Sequence, residues 1–143
     1  MLLEHDDRAG ARRALEEAVR LAPRAVRLMT TLAQLEEQAG DDDAAIARYR
    51  RILELQPTNV VALNNLAFAL AVRRNAPAEA LPSARRAASL APRSGIVLDT
   101  VGWVEHLLGN HDVAATLFDQ AVQLESDHAE IRLHAANRVC SDR

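Results

Sequence analysis

Five histidines, one cysteine, an aspartate triplet and 17 arginines are the residues of this 143-residue chain whose chemistry has to be weighed first. His106 and His111 stand on either side of Gly109, and His128 and His134 fall in different segments. Zinc sites draw on HExxH or paired-cysteine spacings, and neither accompanies these histidines, so no metal centre is expected. Cys140 has His134 six residues back, off the same face of a helix, a spacing that does not build a Cys–His nucleophile. As the single cysteine it also excludes an internal disulfide. Asp41, Asp42 and Asp43 follow Gly40 and read as a helix-capping cluster, not as an acid–base pair. The chain has no lysine, which removes Schiff-base and phosphate-loop lysine chemistry. No catalytic residue, cofactor or metal is expected, and the chain does not read as an enzyme.

Eight of the 17 arginines fall in four adjacent pairs: Arg12-Arg13, Arg50-Arg51, Arg73-Arg74 and Arg85-Arg86. The second and fourth pairs are 35 residues apart, and Glu16-Glu17 hold the matching position earlier in the chain. With 20 acids against 17 bases the net charge is −3, so a solvated face is the better reading and nucleic acid is not an expected partner. No apolar run approaches the ~20 residues of a membrane span. The opening Met1-Leu2-Leu3-Glu4-His5-Asp6-Asp7 is too short and acidic for a signal peptide, which leaves a soluble chain with cytoplasm and periplasm both open as compartments.

The elements that carry these residues follow from composition and period. Apolar residues make up 49% and aromatics 3%, with alanine abundant, which suits close helix packing. Arginine as the only base, in an alanine-rich chain, suggests a GC-rich bacterial source. Pro23, Pro57 and Pro92 are separated by 34 and 35 residues. Ala11, Ala45, Ala80 and Ala114 keep the same phase, as do Leu21, Leu55, Leu90 and Leu124, and Leu15, Tyr49, Ala84 and Phe118. Leu32, Leu66, Val101 and Ala135 mark the other half of the period. Each period holds two helix-length segments, divided at Gly40 or Gly109 and closed at a proline. No strand is expected. The step from Leu66 to Val101 is already 35, so one extra residue lies between Ala67 and Ala80, and the turn Arg73–Pro77 is the expected place. Pro82, inside the segment 77–90, predicts a kink or a late helix start.

A 34-residue helix–turn–helix unit with these marks resembles the tetratricopeptide repeat (TPR). The segment 26–59 carries Leu32, Ala33, Gly40, Ala45, Tyr49 and Pro57 on the family's marked positions. The resemblance implies an all-α fold, an α-solenoid of antiparallel helix pairs wound as a TPR superhelix. It divides one array spanning 1–143 into a partial repeat (a second helix) at 1–25, repeats at 26–59, 60–94 and 95–128, and a terminal helix at 129–143. The stretch 98–103 is similar to repeats common in bacterial envelope and polysaccharide-assembly proteins. Glu36 and Glu105 stand where the family has a large residue late in its first helix, which predicts a thinner packing seam there.

In this family the first helix of each repeat lines a concave groove, so the resemblance implies a protein–protein interaction scaffold that holds a peptide or partner segment. The groove residues it implies are Val61, Asn64, Asn65, Phe68 and Val72 from one repeat, and Ile96, Asp99, Thr100, Trp103, His106 and Leu107 from the next. Phe68 and Trp103 are two of only four aromatics in the chain, and aliphatic neighbours surround them. Exposed apolar patches of this kind mark partner sites, and Asn65 offers both a donor and an acceptor at the edge. The rings could instead fill gaps between helices, a question their exposure decides. The family's carboxylate clamp for co-chaperone peptides needs lysine and arginine where this chain has Thr30, Ile96 and Thr100, so that ligand is not expected. The alternative role is structural. The segment would belong to a longer TPR protein and pack within its assembly, or associate with a second copy through the terminal helix around Leu15 and Val19. An accessory domain of an enzyme carried elsewhere in a longer chain is a third.

Overall fold

The computed structural model describes residues 2–124, with side chains from residue 7 onward. Every regular element among them is helical: α1 (Leu2–Leu21), α2 (Val26–Gln38), α3 (Asp42–Leu55), α4 (Val60–Phe68), α5 (Pro77–Leu90), α6 (Gly95–Leu107) and α7 (His111–Leu124). A π turn, Ala69–Arg73, continues α4. The fold is all-α, and within α1–α3 and within α5–α7 the short turns joining successive helices set neighbours antiparallel. The terminal helix expected at 129–143 lies outside the described residues, as do Cys140, His128 and His134.

Local chemistry sets the helix ends. Asn59 Oδ1 accepts from Ala62 N at 3.0 Å and Ser94 Oγ from Val97 N at 3.4 Å, each capping the helix that follows. Ala25 holds the same place before α2 and has no side-chain acceptor to offer. Ala25→Asn therefore raises stability by about 1 kcal/mol, seen as a higher thermal midpoint, and Ser94→Ala lowers it by a similar amount. Asp41 caps α3 by accepting from Ala44 N at 3.4 Å, with Asp42 and Asp43 in the first turn. Gly40 (φ 79°) and Gly109 (φ 89°) close α2 and α6 in the left-handed region.

The second period differs at this point. Its left-handed residue is Asn75 (φ 53°). Arg74 N donates to Ala69 O, five residues back, where Ala39 N and Leu108 N reach only four. The extra residue is thus taken up inside the helix as the π turn, not in the turn 73–77. A wider turn keeps its backbone bonds satisfied, whereas a lengthened loop leaves donors to water. Pro82 sits within a helix that starts at Pro77, so there is no late start.

The chain divides after Ala62, within α4, into two compact units. In the first, α2 packs against α1 and α3. Met29, Leu32, Ala33, Ile46, Tyr49 and Ile52 form its interior. In the second, α6 packs against α5 and α7 around Leu70, Ala84, Val97, Val101, Val104 and Phe118. A Cβ on Gly102 would lie 2.6 Å from Phe118 Cε1, and that ring is buried. The ~1 kcal/mol that alanine gains over glycine in a helix is outweighed by such overpacking. Gly102→Ala accordingly costs about 1–2 kcal/mol in denaturant unfolding.

Glu36 and Glu105 do not thin the packing seam; they are buried in it through ion pairs. Glu36 is fully buried, accepting from Arg48 Nε at 2.9 Å, with Arg12 Nη2 at 3.9 Å. Its Oε2 has no partner. Burial pushes the Glu36 carboxyl above its ordinary value, against the opposing pull of Arg48. Glu105 takes Arg85 Nη2 at 3.0 Å and Asn110 Nδ2 at 2.7 Å. The middle repeat has the buried Leu70 at the same position.

Candidate interaction surface

α6 is enclosed around most of its circumference, so what it leaves outside is informative. Asp99 and Thr100, expected on the outward face, are buried, and Thr100 Oγ1 donates to Ile96 O at 3.2 Å within its own helix. They offer no surface to a partner. The remaining positions run Ile96, Trp103 and Leu107, spaced by seven and four residues and therefore along one side of the helix. Ile96 is 48% and Leu107 40% exposed. Trp103 is half-buried.

The half-burial of Trp103 has identified causes. Its ring meets Phe118 edge-on, centroids 6.0 Å apart, and His106 edge-on at 5.6 Å. Edge-to-face contacts at this separation fix the indole. Trp103 is thus partly core and partly surface, which joins the two readings of its ring. Phe68 is likewise half-buried, and Val72, on the π turn, is 43% exposed. Asn65 and Asn64 are half-buried, and Asn64 Oδ1 is buried without a hydrogen-bond partner. Val61 belongs to the first unit, where it borders a shallow cleft with Arg27, Thr30, Thr31 and Asn59. Both threonine hydroxyls there donate to their own helix backbone.

The same three positions in α2 are Arg27, Gln34 and Gln38, all exposed. That is the ordinary polar face of a surface helix. The later repeats replace it with Val61, Phe68 and Val72, then with Ile96, Trp103 and Leu107. Of the paired arginines, Arg12 is bridged to Asp41 at 2.7 Å, Arg51 to Glu54 at 2.8 Å and Arg85 to Glu105 at 3.0 Å.

One juxtaposition carried no weight in the sequence. The turn after α6 brings His106 Nδ1 within 3.0 Å of His111 Nδ1. The only sequence signal for it was a pair of histidines spanning a glycine turn. No group of three or more histidine, cysteine, aspartate or glutamate side chains placed to hold a metal occurs among the described residues, and no helix among them is long and apolar enough to cross a membrane.

A model of the tetratricopeptide repeat matches residues 2–60. The TPR repeat-containing protein PA4667 of Pseudomonas aeruginosa is 29% identical over 133 residues, 93% of this chain and 22% of that protein. The chain therefore spans about a fifth of the length of this curated relative. Among solved structures, TTC0263, a thermophilic TPR protein of Thermus thermophilus, superposes with a TM-score of 0.81 at 23% identity, covering 98% of this chain and 77% of that one. The first TPR of Spaghetti (RPAP3), bound to the HSP90 peptide SRMEEVD, gives 0.73 at 19% identity, covering 81% and 91%. At these identities the likeness is one of fold. The tetratricopeptide-repeat model covers residues 2–60, and the repeat period and the helix pairs it produces make the rest of the described chain similar to the same family.

Proposed function

We propose that the chain is a protein–protein interaction scaffold, with repeats at 26–59, 60–94 and 95–128, whose second unit holds a peptide or partner segment against Trp103, Ile96, Leu107, Phe68, Val72 and His106, with Asn65 at the edge. The observation that carries this reading is the apolar outward line of α6, at positions that are polar in α2. A ligand covering roughly 100 Å² of a ring gains about 2.5 kcal/mol there. Two such anchors give a weak, micromolar-class complex after ordering costs are subtracted. Stacked helices hold the wall fixed, so the ligand bears most of that cost. Spaghetti's HSP90 peptide is not carried over to this chain, because Thr30, Ile96 and Thr100 replace the basic residues a carboxylate clamp needs. No catalytic role is proposed.

Peptides selected from a random display library against the protein test the proposal. The expected binders shift Trp103 emission to the blue. Ile96→Glu and Leu107→Glu weaken them about tenfold or more, the loss of one buried aliphatic anchor, with circular dichroism unchanged, and Gln34→Ala has no effect. Binders indifferent to both glutamate variants contradict it. A protein already dimeric through this face supports the structural alternative.

A further inference from the structure

The turn joining α6 to α7 holds two imidazoles in a fixed relation. His106 lies in the last turn of α6 and His111 opens α7; their ring centroids are 4.8 Å apart at an interplanar angle of 63°. Asn110 fixes the turn from two directions, its N–H donating to Glu105 O at 2.9 Å and its side chain to the buried Glu105 carboxylate at 2.7 Å. Gly109 supplies the left-handed backbone, and Trp103 packs edge-on against His106. The pair is therefore preorganised by the fold. In its hydrogen-bonded form one Nδ1 donates and the other accepts.

We propose that His106 and His111 form a two-imidazole chelate for a divalent transition cation of tetragonal preference, with Cu(II) the favoured ion. Bonds of about 2.0–2.1 Å from each Nδ1 to a shared cation, across the observed 3.0 Å, require a bite angle near 94°. That is close to the right angle between cis ligands of square-planar or tetragonal Cu(II) and Ni(II). Imidazole affinity also peaks at Cu(II) along the divalent series. When the cation binds, the donor ring's proton moves through solvent from Nδ1 to Nε2. Both Nδ1 lone pairs then face the metal, and water fills the remaining positions. His106 is shared with the proposed peptide surface and His111 is not, so substitutions at His111 separate the two readings.

Titration of copper(II) chloride in a weakly coordinating buffer is read on the emission of Trp103, the only tryptophan. The expected result is saturable quenching at one equivalent, with Ni(II) and Zn(II) weaker. His111→Ala, at an exposed position, lowers Cu(II) affinity about tenfold or more because the second donor no longer acts at high effective concentration. Its circular dichroism stays unchanged, and His5→Ala, His128→Ala and His134→Ala leave the affinity as it was. Electron paramagnetic resonance of the copper form reports two nitrogen donors in the parent and one in His111→Ala. Quenching that never saturates, that survives His111→Ala undiminished, or that is stronger with Zn(II) than with Cu(II) overturns the proposal and leaves an adventitious ion only.

Discussion

Arg48→Ala is expected to lower the stability of the protein by about 2–3 kcal/mol at pH 7, toward the low end for breaking a buried ion pair because Arg12 remains nearby. Among the described residues the guanidinium is the one group within hydrogen-bond range of a fully buried carboxylate whose other oxygen has no hydrogen-bond partner. Without it, Glu36 must stay charged in an apolar seam or take up a proton, and at pH 7 both cost free energy. The pH dependence has a definite sign. The folded-state value of Glu36 is raised above 4.5, so the folded protein binds the proton more tightly than the unfolded chain. Stability contributed by Glu36 is then fully present below pH 4.5 and is lost as pH rises through the folded-state value. The Arg48→Ala deficit accordingly shrinks as pH is lowered toward 5. Asp41 runs the opposite way, since the hydrogen bond from Arg12 holds its carboxyl below the ordinary value and its contribution is lost only in stronger acid. Glu36→Leu copies the middle repeat's Leu70 and is expected to be neutral or up to about 2 kcal/mol more stable, with a flatter profile above pH 4.5. Urea unfolding at pH 5 and pH 7 checks all of this. An Arg48→Ala deficit equal at both values contradicts the buried-carboxylate account.

Phe118→Ala is the other large effect, at about 3–5 kcal/mol, the cost of emptying a buried aromatic site. Phe118 is 3% exposed and supports two neighbours at once: it abuts the Cα of Gly102 and takes the edge of Trp103. Removing it therefore reddens Trp103 emission before global unfolding, because the indole loses the wall that fixes it. Phe118→Leu retains most of the volume and costs less. In that background Gly102→Ala changes from harmful to mildly favourable, since the close approach is gone and alanine's helix propensity remains. The two substitutions are thus strongly non-additive, and a double-mutant cycle by denaturant unfolding measures the coupling. Additive effects contradict the contact.

These results rest on features that differed in how legible they were in the sequence. The helix pairs could be read because proline, glycine and alanine recur in one phase, and each has a backbone reason to be where it is. The extra residue of the middle repeat was visible, but its location was not. Loop and π turn satisfy the same spacing, and only Asn75, an asparagine able to adopt positive φ, pointed to the helix end. Glu36 and Glu105 read as gaps in packing because burial of a carboxylate depends on arginines 12 and 20 residues away in sequence. Asp99 and Thr100 shared a helical face with Ile96 and Trp103 on paper, and packing on both sides of α6 buried them. His106 and His111 meet only because a turn closes to a particular geometry, which no spacing rule encodes.

The central claim is that the Ile96–Trp103–Leu107 line is open to a partner. Light scattering on a size-exclusion column, combined with acrylamide quenching of Trp103 across a dilution series, tests it most directly. The account predicts a monomer at every concentration, with partly accessible emission that a selected peptide then protects. A dimer whose blue, protected emission reddens on dilution would contradict it, because the wall would already be occupied by a second copy.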